Sequence, residues 1–363
     1  MPRMTSAAAQ TVRATVQQKL ARAATASDPS ALFLLQAEAP LLGLHLATRA
    51  GDIGHGPLEA TMRIASVTKS FVAAAVLRLV EQQRVALDDP LPLLLRPDTL
   101  ALLRTGGYRV DAITLRMLLA HTSGIADFAT PAVFEREVLT QPRRRWTRAE
   151  QLRIAVDQGC PLAPPGAAYA YADSNYSLLG EALEVITGES MARAVRSLGG
   201  IAQLGLRHTW FETLEAAPAD APPRLAQHYA HYLVADFDAS TDLYGGGGLV
   251  STLDDLARYV RALVRGELFT QRTTAALMQT ASPQSEAAGG MPYGLGLELL
   301  SVDGVHCAGH TGFWGVAAWH CAAHDITLTA AVSRTEHKGA LTRVLQDTLL
   351  ALAAASPAPP AQR

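Results

Sequence analysis

The chain has 363 residues, 49% of them hydrophobic and only 18% charged, enough apolar side chain for a large core and for more than one domain. A formal net charge of -2 and a pI near 6.6 give no electrostatic reason to expect nucleic acid or an anionic membrane as partner, which leaves small molecules and short peptides. Cys160, Cys307 and Cys321 are odd in number and widely spaced, so neither a disulfide framework nor a zinc site is indicated and the thiols are expected to be free.

In chain order, residues 1–29 read as an Ala-rich helix and lead-in without the continuous apolar run of a secretory signal. No later run reaches membrane-spanning length, and a cytoplasmic protein is expected. "ALFLLQ" and "LLGLHLAT" predict two short buried strands around a polar turn. "SVTKSFVAAAVLRLVEQQR" predicts a helix, closed by the Asp- and Pro-rich "VALDDPLPLLL". From there to about residue 240 the pattern is helices and irregular loops, with "RRRWTR" at 143–148 expected as a solvated helix lead-in. "YGGGGLVSTLDDLARYVRALV" then predicts a short strand and an amphipathic helix capped by Ser251 or Thr252. Four strand-like segments follow, "YGLGLELL", "GVHCAGH", "GVAAWHC" and "ITLTAAV", before the apolar helix "GALTRVLQDTLLALAAA" and a tail, 356–363, expected to be disordered. Short turns between those late strands predict an antiparallel sheet with helices packed on it. The fold class is therefore α+β: a discontinuous α/β domain over 30–88 and 241–355, and a mostly helical domain, 89–240, inserted into it.

Of the 31 basic residues only Lys19, Lys69 and Lys338 are lysines. Arginine serves for surface charge but does not release its proton in a protein, whereas a buried lysine can act as a base, so each lysine is a candidate for chemistry. Lys69 forms the chain's S-x-x-K with Ser66, and at i and i+3 both side chains share a helix face. A helix starting near Ser66 would present free N–H groups and a positive dipole end to a negative oxygen. The plainer reading is an N-capping serine followed by a surface lysine. Apolar residues on both sides, "IAS" and "SFVAAAV", favour a buried pair and hence chemistry.

Ser66-x-x-Lys69, "LLAHTSGI" at 118–125, the Pro-Gly-x-x-Tyr-x-Tyr stretch at 165–171, "GGGGLVSTLDDLARY" and "GHTG" at 309–312 occur in an order that resembles the serine β-lactamase and penicillin-binding superfamily. The similarity is to the branch with class C β-lactamases, D-Ala-D-Ala carboxypeptidases, D-aminopeptidases and β-lactamase-like esterases, and it covers about residues 30–350. It implies a β-lactamase-like fold and a cofactor-free serine hydrolase working through an acyl-enzyme, without a metal. Ser66 would be the nucleophile, with Lys69 and Tyr171 moving the proton. His310-Thr311-Gly312 would stand where β-lactamases carry Lys-Thr-Gly, on an edge strand. The N–H groups of Ser66 and Phe313 would form the oxyanion hole, and Phe313 and Trp314 would narrow the pocket toward apolar groups.

Asp173 departs from this pattern, since the family usually has asparagine there. It either pairs with Lys69, faces the pocket and attracts a free amine, or bonds loop amides. Tyr169 and Tyr176 are expected as packing, His121 as a loop anchor, and Gly245–Gly248 as close backbone packing near the site. "HYAH" at 228–231 has the wrong spacing for a zinc helix. The expected substrate is a small amide or peptide, in particular one with a D-residue, with an ester as the alternative. A β-lactamase, an acyltransferase and a non-catalytic binding protein rank lower. The oligomeric state is not legible.

Overall fold

In a computed structural model of the chain, residues 6–28, 30–51 and 58–356 are described. All of the expected tail at 356–363 except Ser356 lies outside them, as does the start of the lead-in. Helix α1 (Ser6–Ala26) precedes strands β1 (Leu32–Ala39) and β2 (Leu44–Gly51). The turn joining them is not polar as expected but a tight helical turn, Pro40–Leu42, that buries Leu42 and closes on Gly43 in the left-handed region (φ 64°). Helix α2 (Thr68–Glu81) follows, then a run of helices that includes α3 (Asp173–Thr187), and then α4 (Leu253–Val264). Strands β3 (Glu298–Val302), β4 (Val305–Gly312), β5 (Val316–Cys321) and β6 (Ile326–Val332) lead to the last helix, α5 (Lys338–Ala355).

The strands form one six-stranded sheet in the order β2-β1-β6-β5-β4-β3, with β1 antiparallel to both β2 and β6. β6 is buried at every position, which its unbroken apolar and threonine sequence "ITLTAAV" permits. Period-two alternation sorts β1 between two cores: Phe33 and Leu35 face α1 and α5, whereas Leu32 and Leu34 face the side of α2 and α4. Val16, Leu20 and Ala24, one helical turn apart, seat α1 against α5, and Lys19 Nζ bonds Asp347 Oδ2 at 2.6 Å across that contact.

On the opposite face α4 begins at Thr252, whose side chain accepts the Asp255 N–H, so the cap is Thr252 rather than Ser251. The antiparallel sheet flanked by helices bears out the α+β expectation. The basic run at 143–148 leads into a helix with Arg143 and Arg145 exposed, as expected, but one residue departs from a solvated stretch. Its Trp146 is buried against Phe134, Arg144 stacks on the Trp146 ring at 3.9 Å, and Thr147 caps the next helix through a reciprocal bond with Glu150. Among the described residues, no helix is long and apolar enough to cross a membrane.

Candidate active site

Ser66 sits in a single helical turn, Ala65–Val67, between a two-residue strand, Met62–Arg63, and α2. The strand is pinned from both sides: it pairs with Leu249–Ser251, and the Arg63 guanidinium donates to Val234 O and Phe237 O, both at 2.8 Å. Ala65 is held at φ 46°, a left-handed conformation unusual for a residue with a Cβ, so the turn that presents Ser66 is strained. Gly312 explains how the sheet reaches it. A Cβ there would lie 2.3 Å from Ile64 O, so only glycine lets β4 run this close to the turn that carries Ser66.

α2 is buried along its length, its alanines 73–75 letting neighbours close in, and this carries Lys69 to 0% exposure. Its ammonium donates to Ser66 Oγ at 2.9 Å and to Gly246 O at 2.7 Å, and forms an ion pair with the Asp173 carboxylate. It also lies 5.0 Å from the centre of the Tyr171 ring. Asp173 thus takes the first of the three roles open to it, while its partly exposed carboxylate also lines the cavity above Ser66. Tyr171 shares a hydrogen bond with Ser66, and burial followed by the Asp173 charge raises its phenol well above the usual range, so it stays protonated. The glycine run packs as expected: Gly245 abuts Tyr176 O without room for a Cβ, and Gly246 lies tightly against the Asp173 side chain.

The loop at 118–125 braces the tyrosine stretch. His121, itself at φ 55°, accepts the Ala172 N–H at Nδ1 (3.1 Å) and stacks on Tyr171 with ring centres 4.3 Å apart. Its imidazole is pushed well below the usual range, first by burial and then by Lys69, and stays neutral. Ser123 Oγ donates to Asn175 Oδ1 at 2.6 Å, and Tyr176 bonds Leu119 O at 3.0 Å, so Tyr176 is packing and bracing.

A cavity of about 380 Å³ opens beside Ser66. Phe134, Val138, Leu139, Phe237 and Trp314 form its apolar wall, and Phe313, 47% exposed, stands at its mouth. Trp314 donates its Nε1–H to Asp242 Oδ2 at 3.2 Å. Among the described residues lining it, Asp127, Glu135, Asp173 and Asp242 are acidic and none is basic. Asp127 Oδ1 accepts the Asp173 N–H at 2.9 Å, and burial together with the Asp173 charge pushes its carboxyl up to about 7. Burial pushes Asp242 up to about 6.

His310, expected to meet substrate, stands behind the cavity instead. Nε2 engages Tyr293 OH at 3.0 Å and Nδ1 lies 2.7 Å from Thr311 O, and burial lowers its pKa. Thr311 is also engaged from behind, its N–H and hydroxyl both bonding the Glu298 carboxylate at 2.9 Å. Sequence reasoning missed Asp127, Asp242, Tyr293 and Glu298. Asp127 lies just past "HTSGI" and Asp242 just before "LYGGGG", so adjacency to two motifs was the available signal.

Over most of its length the chain is similar to known proteins. A chain of Escherichia coli described as the D-alanyl-D-alanine-carboxypeptidase/endopeptidase AmpH is 28% identical over 240 residues, 64% of this chain and 56% of that protein, so the match spans little more than half of that relative. Esterase EstB of Burkholderia gladioli is 28% identical over 288 residues, 72% of either chain. The crystal structure of a D-stereospecific amidohydrolase from Streptomyces superposes with a TM-score of 0.77 at 27% identity, covering 89% of this chain and 94% of that one. The family model for beta-lactamase matches residues 46–352. A match that runs from the second strand of the sheet into its last helix makes this chain a member of the beta-lactamase family.

Proposed function

We propose that the protein is a serine hydrolase that forms an acyl-enzyme on Ser66 and cleaves small amides or short peptides bearing a free amine beside an apolar side chain. The observation that carries this reading is the fully buried Lys69 ammonium, 2.9 Å from Ser66 Oγ at the cavity floor. Held by Asp173 it is a donor, so it can take the Ser66 proton only as it hands one of its own to that carboxylate. Ser66 Oγ then attacks the carbonyl, the Ser66 and Phe313 N–H groups hold the oxyanion, and neutral Tyr171 protonates the leaving nitrogen or oxygen. In the second half the Tyr171 phenolate takes a proton from water, hydroxide attacks the acyl carbon, and Ser66 recovers its proton through Lys69.

The wall of acids and aromatics supports a cationic, apolar substrate, the nearest cations being Lys69, held by Asp173, and Lys338, stacked on Phe313 at the mouth. The similarity to the D-stereospecific amidohydrolase from Streptomyces supports a D-residue. An ester substrate is the second reading, favoured by the alignment with EstB over most of both chains. The test is turnover of a p-nitrophenyl ester, D- and L-alanyl p-nitroanilide and nitrocefin in parallel. Ser66→Ala is expected to abolish all turnover and to keep the native circular dichroism; full activity in that variant overturns the assignment. Asp173→Asn is expected to weaken turnover of the amine-bearing anilides roughly tenfold or more beyond its effect on the uncharged ester, because only the former lose a charge partner in the cavity. Equal effects on both substrates would return Asp173 to a purely structural part.

A further inference from the structure

Away from this cavity the ladder between β4 and β5 sets two of the three cysteines against each other. His320 pairs with Ala308, so the next step along the two strands places Cys321 opposite Cys307. Both side chains lie in the core on the α1 and α5 side of the sheet. Directly opposed residues of an antiparallel pair have Cα atoms about 4.5 to 5.5 Å apart, within the range that a disulfide bridges without moving the backbone.

The surroundings of the two sulfurs differ. Cys321 closes β5 at the turn into β6, beside the backbone amides of Ala323 and His324, whereas Cys307 lies inside β4. The neighbouring Cys307 thiol above all, then the turn amides, favour the Cys321 thiolate and bring it down to about 7, whereas Cys321 and burial push Cys307 up. Nothing in the proposed hydrolysis uses either group.

We propose that Cys321 and Cys307 form a thiol–disulfide exchange site, with Cys321 as attacking and Cys307 as resolving thiol, for small disulfides of the glutathione type. The Cys321 thiolate attacks one sulfur of the small disulfide, giving a mixed disulfide and releasing one thiolate. Cys307 loses its proton to that thiolate and attacks the Cys321 sulfur, expelling the second thiolate. Two protein thiols are oxidised and one small disulfide is reduced to two thiols. Both cysteines are shielded, at 6% and 1% exposure, so the reaction proceeds through opening of the turn, where Ala322 and Ala323 are exposed, and is slower than that of the exposed Cys160.

The test is made on native full-length Cys160→Ala, incubated with excess oxidised glutathione, acid-quenched, unfolded and titrated for thiols alongside intact mass. Both remaining thiols are expected to disappear together, with the mass lower by two hydrogens and no glutathione retained. Adding Cys307→Ala should trap one glutathione on Cys321, faster than Cys321→Ala traps it on Cys307. Two thiols persisting after the native incubation, two separately bound glutathiones, or a bridge that forms only after unfolding would each overturn the proposal.

Discussion

The carboxylates around Ser66 set the protein's response to pH. Asp127 titrates at about 7 rather than at the usual 3.8, because burial and the Asp173 charge favour its neutral form. Below pH 7 it is a neutral acid, and as pH rises through 7 it gains the charge that attracts a cation. A competitive inhibitor such as 2-phenylethylamine, whose ammonium stays charged throughout, should bind roughly 3- to 10-fold more tightly at pH 8 than at pH 6.5. Asp127→Asn should flatten that dependence, and an unchanged slope in the variant would remove Asp127 from the binding surface. The linkage to stability has the opposite sign. Between about pH 4 and 7 the native state holds a proton on Asp127 that the unfolded chain has released, so rising pH destabilises the native state through this group, and Asp127→Asn removes that loss. Ser66 and Lys69 were legible in sequence because their spacing is local and lysine is scarce. Asp127 and Asp242 were not, since they come together only across separate loops and no local pattern marks a carboxylate as facing a cavity.

Elements were legible where periodicity was strong. "ITLTAAV" coincides with β6 and the last apolar helix with α5. The one departure within 143–148 has a physical cause: arginine marks a solvated surface by charge, yet its planar group can cover a buried indole, as Arg144 covers Trp146. His310 was misplaced for a related reason, because a strand's register, and not its motif, decides which face a side chain takes. The contact of β4 with the serine turn gives a test at this scale. Gly312→Ala puts a Cβ 2.3 Å from Ile64 O, which the strand can relieve only by moving away from Ser66. The expected result is a loss of about 100-fold or more in kcat/KM from the displaced Phe313 N–H, with a stability cost of about 1–3 kcal/mol in thermal melts. Wild-type kcat/KM in that variant would show that the close approach does not position the oxyanion donor.

At the scale of the whole molecule, the sheet's order was the least legible feature. β1 lies next to β2 in sequence and in space, but its other neighbour is β6, with Phe33 opposite Val332 and Leu34 opposite Ala331. Nothing local in "LFLLQAEA" specifies a partner almost the whole chain away; the pairing arises because both strands are apolar on both faces and fit only the interior of the sheet. This closure has a consequence for how the protein is made. During synthesis the hairpin of β1 and β2 leaves the ribosome early with one flank unpaired, and it stays a bare apolar edge until β6 has been translated. The nascent chain is therefore an expected client of holding chaperones for most of its elongation. Ribosome-bound chains arrested before residue 326 should remain protease-sensitive over 32–51, whereas those arrested beyond α5 and clear of the exit tunnel should become protected in one step.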